Sequence, residues 1–151
     1  MKDEIWRQAA ILARLIPDLA KAFGMEGIKE ILDIEINAAQ VDILFQIYVL
    51  KEPIMSELSE ATNIQLSTLT RAVDKLVQKG FVVRKTDPRN RRVVRVSLTS
   101  SGVEVVKKFK EARRKKIASI LKKLTHHERE EVVQMLQTLH QRISNEASNE
   151  D

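Results

Sequence analysis

The chain has 151 residues, of which 43% are hydrophobic, 4% aromatic and 31% charged, with four glycines, three prolines and no cysteine. This length builds one domain or two small lobes, and so little glycine, proline and aromatic content favours helices over a sandwich or barrel. The lack of cysteine excludes disulfides, thiolate metal sites and a cysteine nucleophile. No apolar run reaches membrane-spanning length, and the acidic start MKDEIWRQAA is unlike a signal peptide, so we expect a cytoplasmic protein without membrane contact.

The net charge of +5 is unevenly distributed along the chain. Residues 1–64 carry six basic and eleven acidic side chains (−5), and residues 65–92 carry eight and two (+6). Residues 93–124 carry ten and two (+8), and residues 125–151 carry two and six (−4). A basic middle between acidic ends is expected if one surface faces phosphate.

Apolar periodicity predicts three helices in the first part of the chain, over residues 4–23, 37–50 and 56–62. Pro17 interrupts the first, and Gly24–Ile36 is a linker or short helix. Asn37 and Gln40 form a capping box at the start of the second. Its predicted apolar face consists of Val41, Leu44, Phe45 and Tyr48. Asn63 is a suitable left-handed terminator for the third.

The segment 63–102 carries most of the functional information. Its first part, 65–79, predicts a helix whose apolar stripe is Leu66, Leu69, Val73, Leu76 and Val77. The opposite face of this helix is polar: Ser67, Thr68, Thr70, Arg71, Asp74 and Lys75. Gly80 ends the helix, and strands 81–85 and 93–98 follow, joined by an Arg-rich turn. A polar-faced helix followed by a basic hairpin indicates duplex-DNA reading, whereas the alternative is an amphipathic helix beside a solvated turn.

Two long helices are predicted after the hairpin. Thr99 and Ser101 are both N-cap candidates for the first, which runs to about Leu124, and Thr125 caps the second, which runs to about Ser144. The first helix and the last two helices of the chain each have an apolar stripe. These stripes have no partner within the central lobe, residues 37–98. They pack on one another or on a second copy of the chain, and their length favours the second copy.

Residues 69–102 resemble the multiple-antibiotic-resistance regulator (MarR) family of winged helix-turn-helix repressors. The matching pattern is Thr70-Arg71-x-x-Asp74-x-Leu76-x-x-x-Gly80-Phe81-Val82-x-Arg84, then Asp87-Pro88-x-x-Arg91-Arg92, then Leu98-Thr99-x-x-Gly102. The resemblance implies a mainly α fold with a small β-hairpin wing. It implies an N-terminal dimerisation helix and linker (1–36), a winged helix-turn-helix lobe (37–98) and C-terminal dimerisation helices (99–151).

The resemblance also implies a function, that of a homodimeric, sequence-specific transcriptional repressor on a pseudo-palindromic DNA site. A small aromatic or anionic effector would release it. The residues expected to contact DNA are Gln65, Ser67, Thr68, Thr70, Arg71 and Lys75 on the helix, with Arg89, Arg91 and Arg92 on the wing. Arg71 is suited to guanine, Lys75 to phosphate and Gln65 to either phosphate or a base edge. Arg92 matches the wing arginine that enters the minor groove.

One departure from the family pattern concerns the wing. The family usually has aspartate two residues before the wing arginine, where this chain has Asn90. An aspartate would hold the guanidinium by a charge-assisted pair, whereas asparagine offers a neutral hydrogen bond. Asp87 is a candidate for that role, and Asn90 is alternatively a favourable turn residue.

Other features indicate little additional chemistry. His126, His127 and His140 have no recognised metal-ligand spacing, so we expect neither a metal nor another cofactor. No nucleophile–base pair or phosphate-binding glycine loop is present, so an enzyme is not expected. The basic run 107–116 is an extra phosphate contact or a solvated helix face. The alternatives to a specific repressor are a winged-helix module for nonspecific nucleic-acid binding or protein assembly, and a metal-responsive regulator.

Overall fold

A computed structural model describes residues 2–24 and 34–147 of the chain. In chain order they form α1 (Lys2–Phe23), α2 (Ala38–Leu50), α3 (Met55–Thr62), α4 (Leu66–Gln78), β1 (Val82–Thr86), β2 (Val94–Leu98), α5 (Ser100–Leu121) and α6 (His126–Ala147). The chain divides into two compact units, Met1–Arg113 and Arg114–Asp151. The predicted mainly helical fold with a β-hairpin is confirmed, while most of the predicted linker 24–36 lies outside the described residues.

The hydrophobic core lies in the first unit and is built by α2, α3, α4, the hairpin and the first half of α5. Its buried side chains include Ile43, Leu44, Ile47, Leu58, Leu69, Val73, Leu76, Val82, Val96, Val105, Val106 and Phe109. A fully buried aliphatic side chain contributes about 1.5–3 kcal/mol relative to an exposed one. The core therefore fixes which face of each of these helices points inward.

Helix α2 begins with the predicted capping box. The Asn37 side chain accepts the N–H of Gln40 at 2.8 Å, and the Gln40 side chain accepts the N–H of Asn37 at 3.1 Å. The predicted apolar face is partly wrong, because Ile47 is buried while Tyr48 is 37% exposed. The helix is apolar around most of its circumference, so periodicity alone does not select the inward face.

The strands β1 and β2 pair antiparallel, with Val82 opposite Leu98 and Thr86 opposite Val94. The loop between α2 and α3 lies alongside β2, since the N–H of Val96 donates to the carbonyl of Pro53 at 2.9 Å. This contact joins the hairpin to the helical part of the lobe.

Helix α5 begins at Ser100, with Thr99 rather than Ser101 before it. The Thr99 Oγ1 accepts the N–H of Gly102 at 3.1 Å and donates to the carbonyl of Gly80 at 2.6 Å. Of the two N-cap candidates, Thr99 is therefore correct. The same side chain ties the start of α5 to the end of α4.

Helices α1 and α6 expose their apolar stripes. Every side chain from Asp3 to Ala22 is exposed, including Trp6 at 74% and Ile16 at 56%. On α6, Met135 is 68% exposed and Ile143 is 59% exposed. None of the helices that residues 2–24 and 34–147 form could cross a membrane, given its length and apolar content.

Candidate nucleic-acid interface

Helix α4 has a buried face and a polar exposed face. Leu69, Val73 and Leu76 are fully buried at intervals of four and three residues. The predicted helix contacts all lie outside this stripe and are exposed: Ser67, Thr68, Thr70, Arg71 and Lys75. An α-helix has 3.6 residues per turn, so residues three or four positions apart share one face. Burial of the apolar stripe therefore keeps the polar residues on the outer face.

The turn before α4 and the turn after it have the geometry that their sequences predicted. Asn63 is left-handed (φ 53°) at the end of α3. Gly80 has φ 75°, its N–H donates to the Val77 carbonyl, and the N–H of Phe81 donates to the Leu76 carbonyl. This pair of bonds is a Schellman motif, which favours glycine at the left-handed position. Both ends of α4 are thereby defined.

Two predicted residues of α4 have particular local environments. Gln65 is the N-cap, exposed, and its side chain does not cap the helix. The Thr70 hydroxyl donates to the carbonyl of Leu66 at 2.8 Å. Thr70 therefore offers an outside group its oxygen lone pair and its methyl group while that bond is kept.

An ion pair joins α4 to the hairpin. Asp74 Oδ1 lies 2.7 Å from the Nη2 of Arg84 on β1, and both side chains are part-exposed. An exposed pair of this kind contributes about 0.2–1 kcal/mol to stability, so its main consequence is orientation. It links α4 to β1, the strand that leads into the wing.

The wing tip is held by two consecutive Asx-turns. Asp87 Oδ1 accepts the N–H of Arg89 at 2.8 Å, and Asn90 Oδ1 accepts the N–H of Arg92 at 3.1 Å. The Asn90 side chain thus fixes the backbone at Arg92, which the oxygen of an aspartate would do equally well. Asp87 does not take over the role of holding Arg92, because its other oxygen binds Arg95.

The three predicted wing arginines, Arg89, Arg91 and Arg92, are all exposed. Within the described part of the chain, no carboxylate forms an ion pair with any of them. Their positive charge is consequently uncompensated by local acids, as an anion-binding tip requires.

Sequence reasoning missed the charged contacts at the base of the wing. Arg95 Nε donates to Asp87 Oδ2 at 2.7 Å, and its Nη1 donates to the Glu52 carbonyl at 2.9 Å. Lys85 Nζ lies 2.8 Å from the Glu52 carboxylate. The hydrogen bond from Arg95, followed by the one from the Arg89 N–H, lowers the pKa of Asp87. No local pattern signals these contacts, because Glu52 and Arg95 are 43 residues apart.

The histidines and a small cavity are further candidates for a ligand site. His126 and His127 each approach a glutamate one turn later, at 3.4 and 3.5 Å. In residues 2–24 and 34–147, no three His, Asp or Glu side chains come together as a metal-binding group. A cavity of about 110 Å³ lies between α2 and α5, lined by Ala38, Val41, Asp42, Phe45, Phe109, Lys110 and Arg113.

The lobe has the architecture of a winged helix-turn-helix DNA-binding protein. It consists of the short helix α3, a tight turn, the polar-faced helix α4 and the basic hairpin β1–β2 packed against α4. The comparison with family models agrees, since residues 36–94 match the MarR family. Over residues 36–94 the chain is similar to the MarR family, whose members are DNA-binding transcriptional regulators and not enzymes.

Individual proteins support the same assignment. The chain is 36% identical over 72 residues to the multiple antibiotic resistance protein MarR of Escherichia coli K12, covering 48% of this chain and 50% of that protein. It is 28% identical over 89 residues to the transcriptional repressor YetL of Bacillus subtilis 168, covering 59% of this chain and 53% of YetL. The crystal structure of transcriptional regulator Tm0710 from Thermotoga maritima superposes with a TM-score of 0.73 at 29% identity, and the match covers 92% of this chain and 98% of Tm0710.

The chain thus spans about half the length of these two curated relatives in sequence. The structural match is longer, because it extends over more than nine-tenths of both chains. The predicted family and fold class are therefore confirmed.

Proposed function

We propose that the protein is a homodimeric repressor that reads a pseudo-palindromic operator. Each subunit inserts α4 into the major groove and its wing tip into the adjacent minor groove. The observation that carries the proposal is the connection of two exposed surfaces, the polar face of α4 and the wing tip. The Asp74–Arg84 ion pair joins α4 to the hairpin. At the tip, Arg89, Arg91 and Arg92 form no ion pair with any carboxylate that the structure describes. As a DNA-binding regulator, it acts in the cytoplasm.

The DNA-contacting side chains divide by chemistry. Arg71 lies opposite the buried stripe and is suited to bidentate contact with guanine, while Ser67 and Thr68 offer hydroxyls to base edges or phosphates. Lys75, one turn further, contacts phosphate, and Gln65, at the helix start, contacts either phosphate or a base edge. The wing residues Arg89, Arg91 and Arg92 respond to the negative potential of a narrow minor groove.

Dimerisation is supported by the exposed apolar stripes of α1 and α6. Side chains such as Trp6 (74% exposed) and Met135 (68% exposed) would be costly to leave in water along whole helices. We assign the segments 1–36 and 99–151 to dimerisation and 37–98 to the DNA-binding lobe, with the first half of α5 also packing into the core of that lobe. Light scattering should give twice the chain mass, and Ile16→Glu should shift the protein toward the monomer.

Repression fits the name of YetL, and effector release fits the cavity between α2 and α5. Phe45 and Phe109 offer apolar surface there, and Lys110 and Arg113 offer positive charge. A volume of about 110 Å³ is below the usual range for a ligand pocket, about 300–1,000 Å³. The cavity therefore suits a small aromatic anion such as benzoate, whose addition should weaken operator binding in a titration.

The test uses a duplex of about 30 base pairs that the wild-type protein enriches from a randomised library. Arg92→Ala should weaken binding and reduce the slope of log affinity against log salt by about one. Arg71→Ala should cost about 1–3 kcal/mol and relax the preference at one base pair. Lys75→Ala is the matched comparison on the same helix face, and it should weaken all sequences equally. Unchanged binding by Arg92→Ala would remove the wing from the interface.

The runner-up is a nonspecific nucleic-acid module. It is favoured by the basic segment 93–124, which carries ten basic and two acidic residues, a net +8. Such a module predicts no enriched sequence and equal affinity for all duplexes at moderate salt.

A further inference from the structure

Arg95 occupies a junction between three parts of the lobe. It lies on β2, and its guanidinium donates to Asp87, where the wing tip begins, at 2.7 Å. The same guanidinium donates to the backbone carbonyl of Glu52, in the loop between α2 and α3, at 2.9 Å. One side chain therefore connects the tip of the wing to the helical body.

The geometry uses properties that are specific to arginine. Its planar fork presents donors in fixed, divergent directions, so Nε and Nη1 can serve two acceptors at once. Both acceptors are themselves held in place. Asp87 also accepts the N–H of Arg89, and Glu52 precedes Pro53, whose carbonyl accepts the N–H of Val96 on β2.

We propose that Arg95, through Asp87, is a positioning residue that sets the direction in which the wing tip leaves the sheet. It acts on DNA binding through Arg89, Arg91 and Arg92 and does not itself contact DNA, because its Nε and Nη1 are already occupied. The inference rests on the proposed function, and it adds a determinant of wing orientation outside the contact residues.

The direction in which Asp87→Asn changes DNA affinity separates two possible roles of Asp87, a purely electrostatic one and a positioning one. If Asp87 influenced DNA only by its charge, removing that charge would tighten binding to the polyanion. If Asp87 instead anchors the tip through its bond to Arg95, which we call the Arg95 clamp, its loss disorders the tip and weakens DNA binding. We expect affinity for the library-selected duplex to fall about fivefold in both Asp87→Asn and Arg95→Gln, the equivalent of one exposed ion pair.

A second comparison tests whether the effect passes through the tip. In a background with Arg89, Arg91 and Arg92 all changed to alanine, Arg95→Gln should weaken binding by no more than about twofold, since the groups that it positions are absent. An equal loss in both backgrounds would mean that Arg95 contacts DNA directly or only supports the fold, and either result overturns the proposal.

A third measurement needs no DNA and so separates failure of the clamp from failure of the proposed function. In the free protein, the ¹⁵N heteronuclear NOE of the Arg91 and Arg92 amides should fall in Arg95→Gln and Asp87→Asn. Lys85→Ala is the matched control, because Lys85 lies opposite Arg95 and pairs with the same Glu52 but not with the tip. It should leave these values unchanged. Equally ordered tips in wild type and Arg95→Gln would overturn the clamp, whatever the protein binds.

Discussion

Among the glycines that the structure describes, Gly102 is the one at which an added methyl group would overlap its neighbours most closely. An alanine Cβ there would lie 2.1 Å from the Phe81 carbonyl oxygen and 3.3 Å from Cδ2 of Leu98. Carbon–oxygen contacts normally begin near about 3.3 Å, so backbone must move by about 1 Å. That same carbonyl accepts the N–H of Thr99 at 3.0 Å, so the movement strains the start of α5.

We therefore expect Gly102→Ala to lower the free energy of unfolding by about 3 kcal/mol, of which overpacking supplies about 1–3 and the weakened hydrogen bond about 1. Urea unfolding, followed by circular dichroism at fixed protein concentration, should show the midpoint falling by about 1.5 M if the slope is near 2 kcal/mol/M.

Gly80→Ala is the control, because nothing lies within 4 Å of its added Cβ and only the left-handed backbone (φ 75°) opposes it. It should cost about 1 kcal/mol. A Gly102→Ala midpoint equal to that of wild type would refute the packing argument, and a larger loss in Gly80→Ala would reverse the ranking.

Three further predictions concern the hairpin. Ser97 is buried, and its hydroxyl has no hydrogen-bond partner among residues 2–24 and 34–147. Ser97→Ala should therefore leave the thermal midpoint unchanged or raise it, and a large drop would reveal a missed partner. The pKa of Asp87 is lowered by Arg95, so this carboxylate contributes stability above its unfolded value of about 3.9 that is lost as the pH falls through the folded value. The stability difference between wild type and Asp87→Asn should accordingly shrink in acid, and a constant difference from pH 6 to pH 2.5 would contradict the pairing. Asn90→Ala should speed hydrogen exchange of the Arg92 amide while Asn90→Asp preserves its protection, and equal exchange in both variants would exclude the second Asx-turn.

The parts of the fold that local sequence signals encode were predictable. The stripe of Leu69, Val73 and Leu76 has helical spacing, and Gly80 marks the end of the helix, so α4 was placed to within one residue at each end. The Asp87-Pro88 dipeptide likewise marked the turn of the hairpin. Such signals lie within a few residues of the structure that they determine.

Features that depend on distant residues were not predictable. The choice between Thr99 and Ser101 as N-cap depended on Thr99 also reaching the Gly80 carbonyl, a contact across 19 residues. The Arg95–Glu52 contact spans 43 residues and leaves no periodic trace in the sequence. The role of Asn90 similarly required the conformation of the tip, because an asparagine in a basic turn is compatible with several hydrogen-bond partners.

The most direct test of the central claim is competition fluorescence anisotropy of the wild-type protein with a labelled duplex from its own upstream region and a scrambled duplex of equal composition, across a salt series. A sequence-specific regulator should bind one duplex about a hundredfold or more tighter than the scrambled control at physiological salt. Equal affinities that fall together as salt rises, also against library-selected duplexes, would contradict specific operator reading and leave only nonspecific binding to the phosphate backbone.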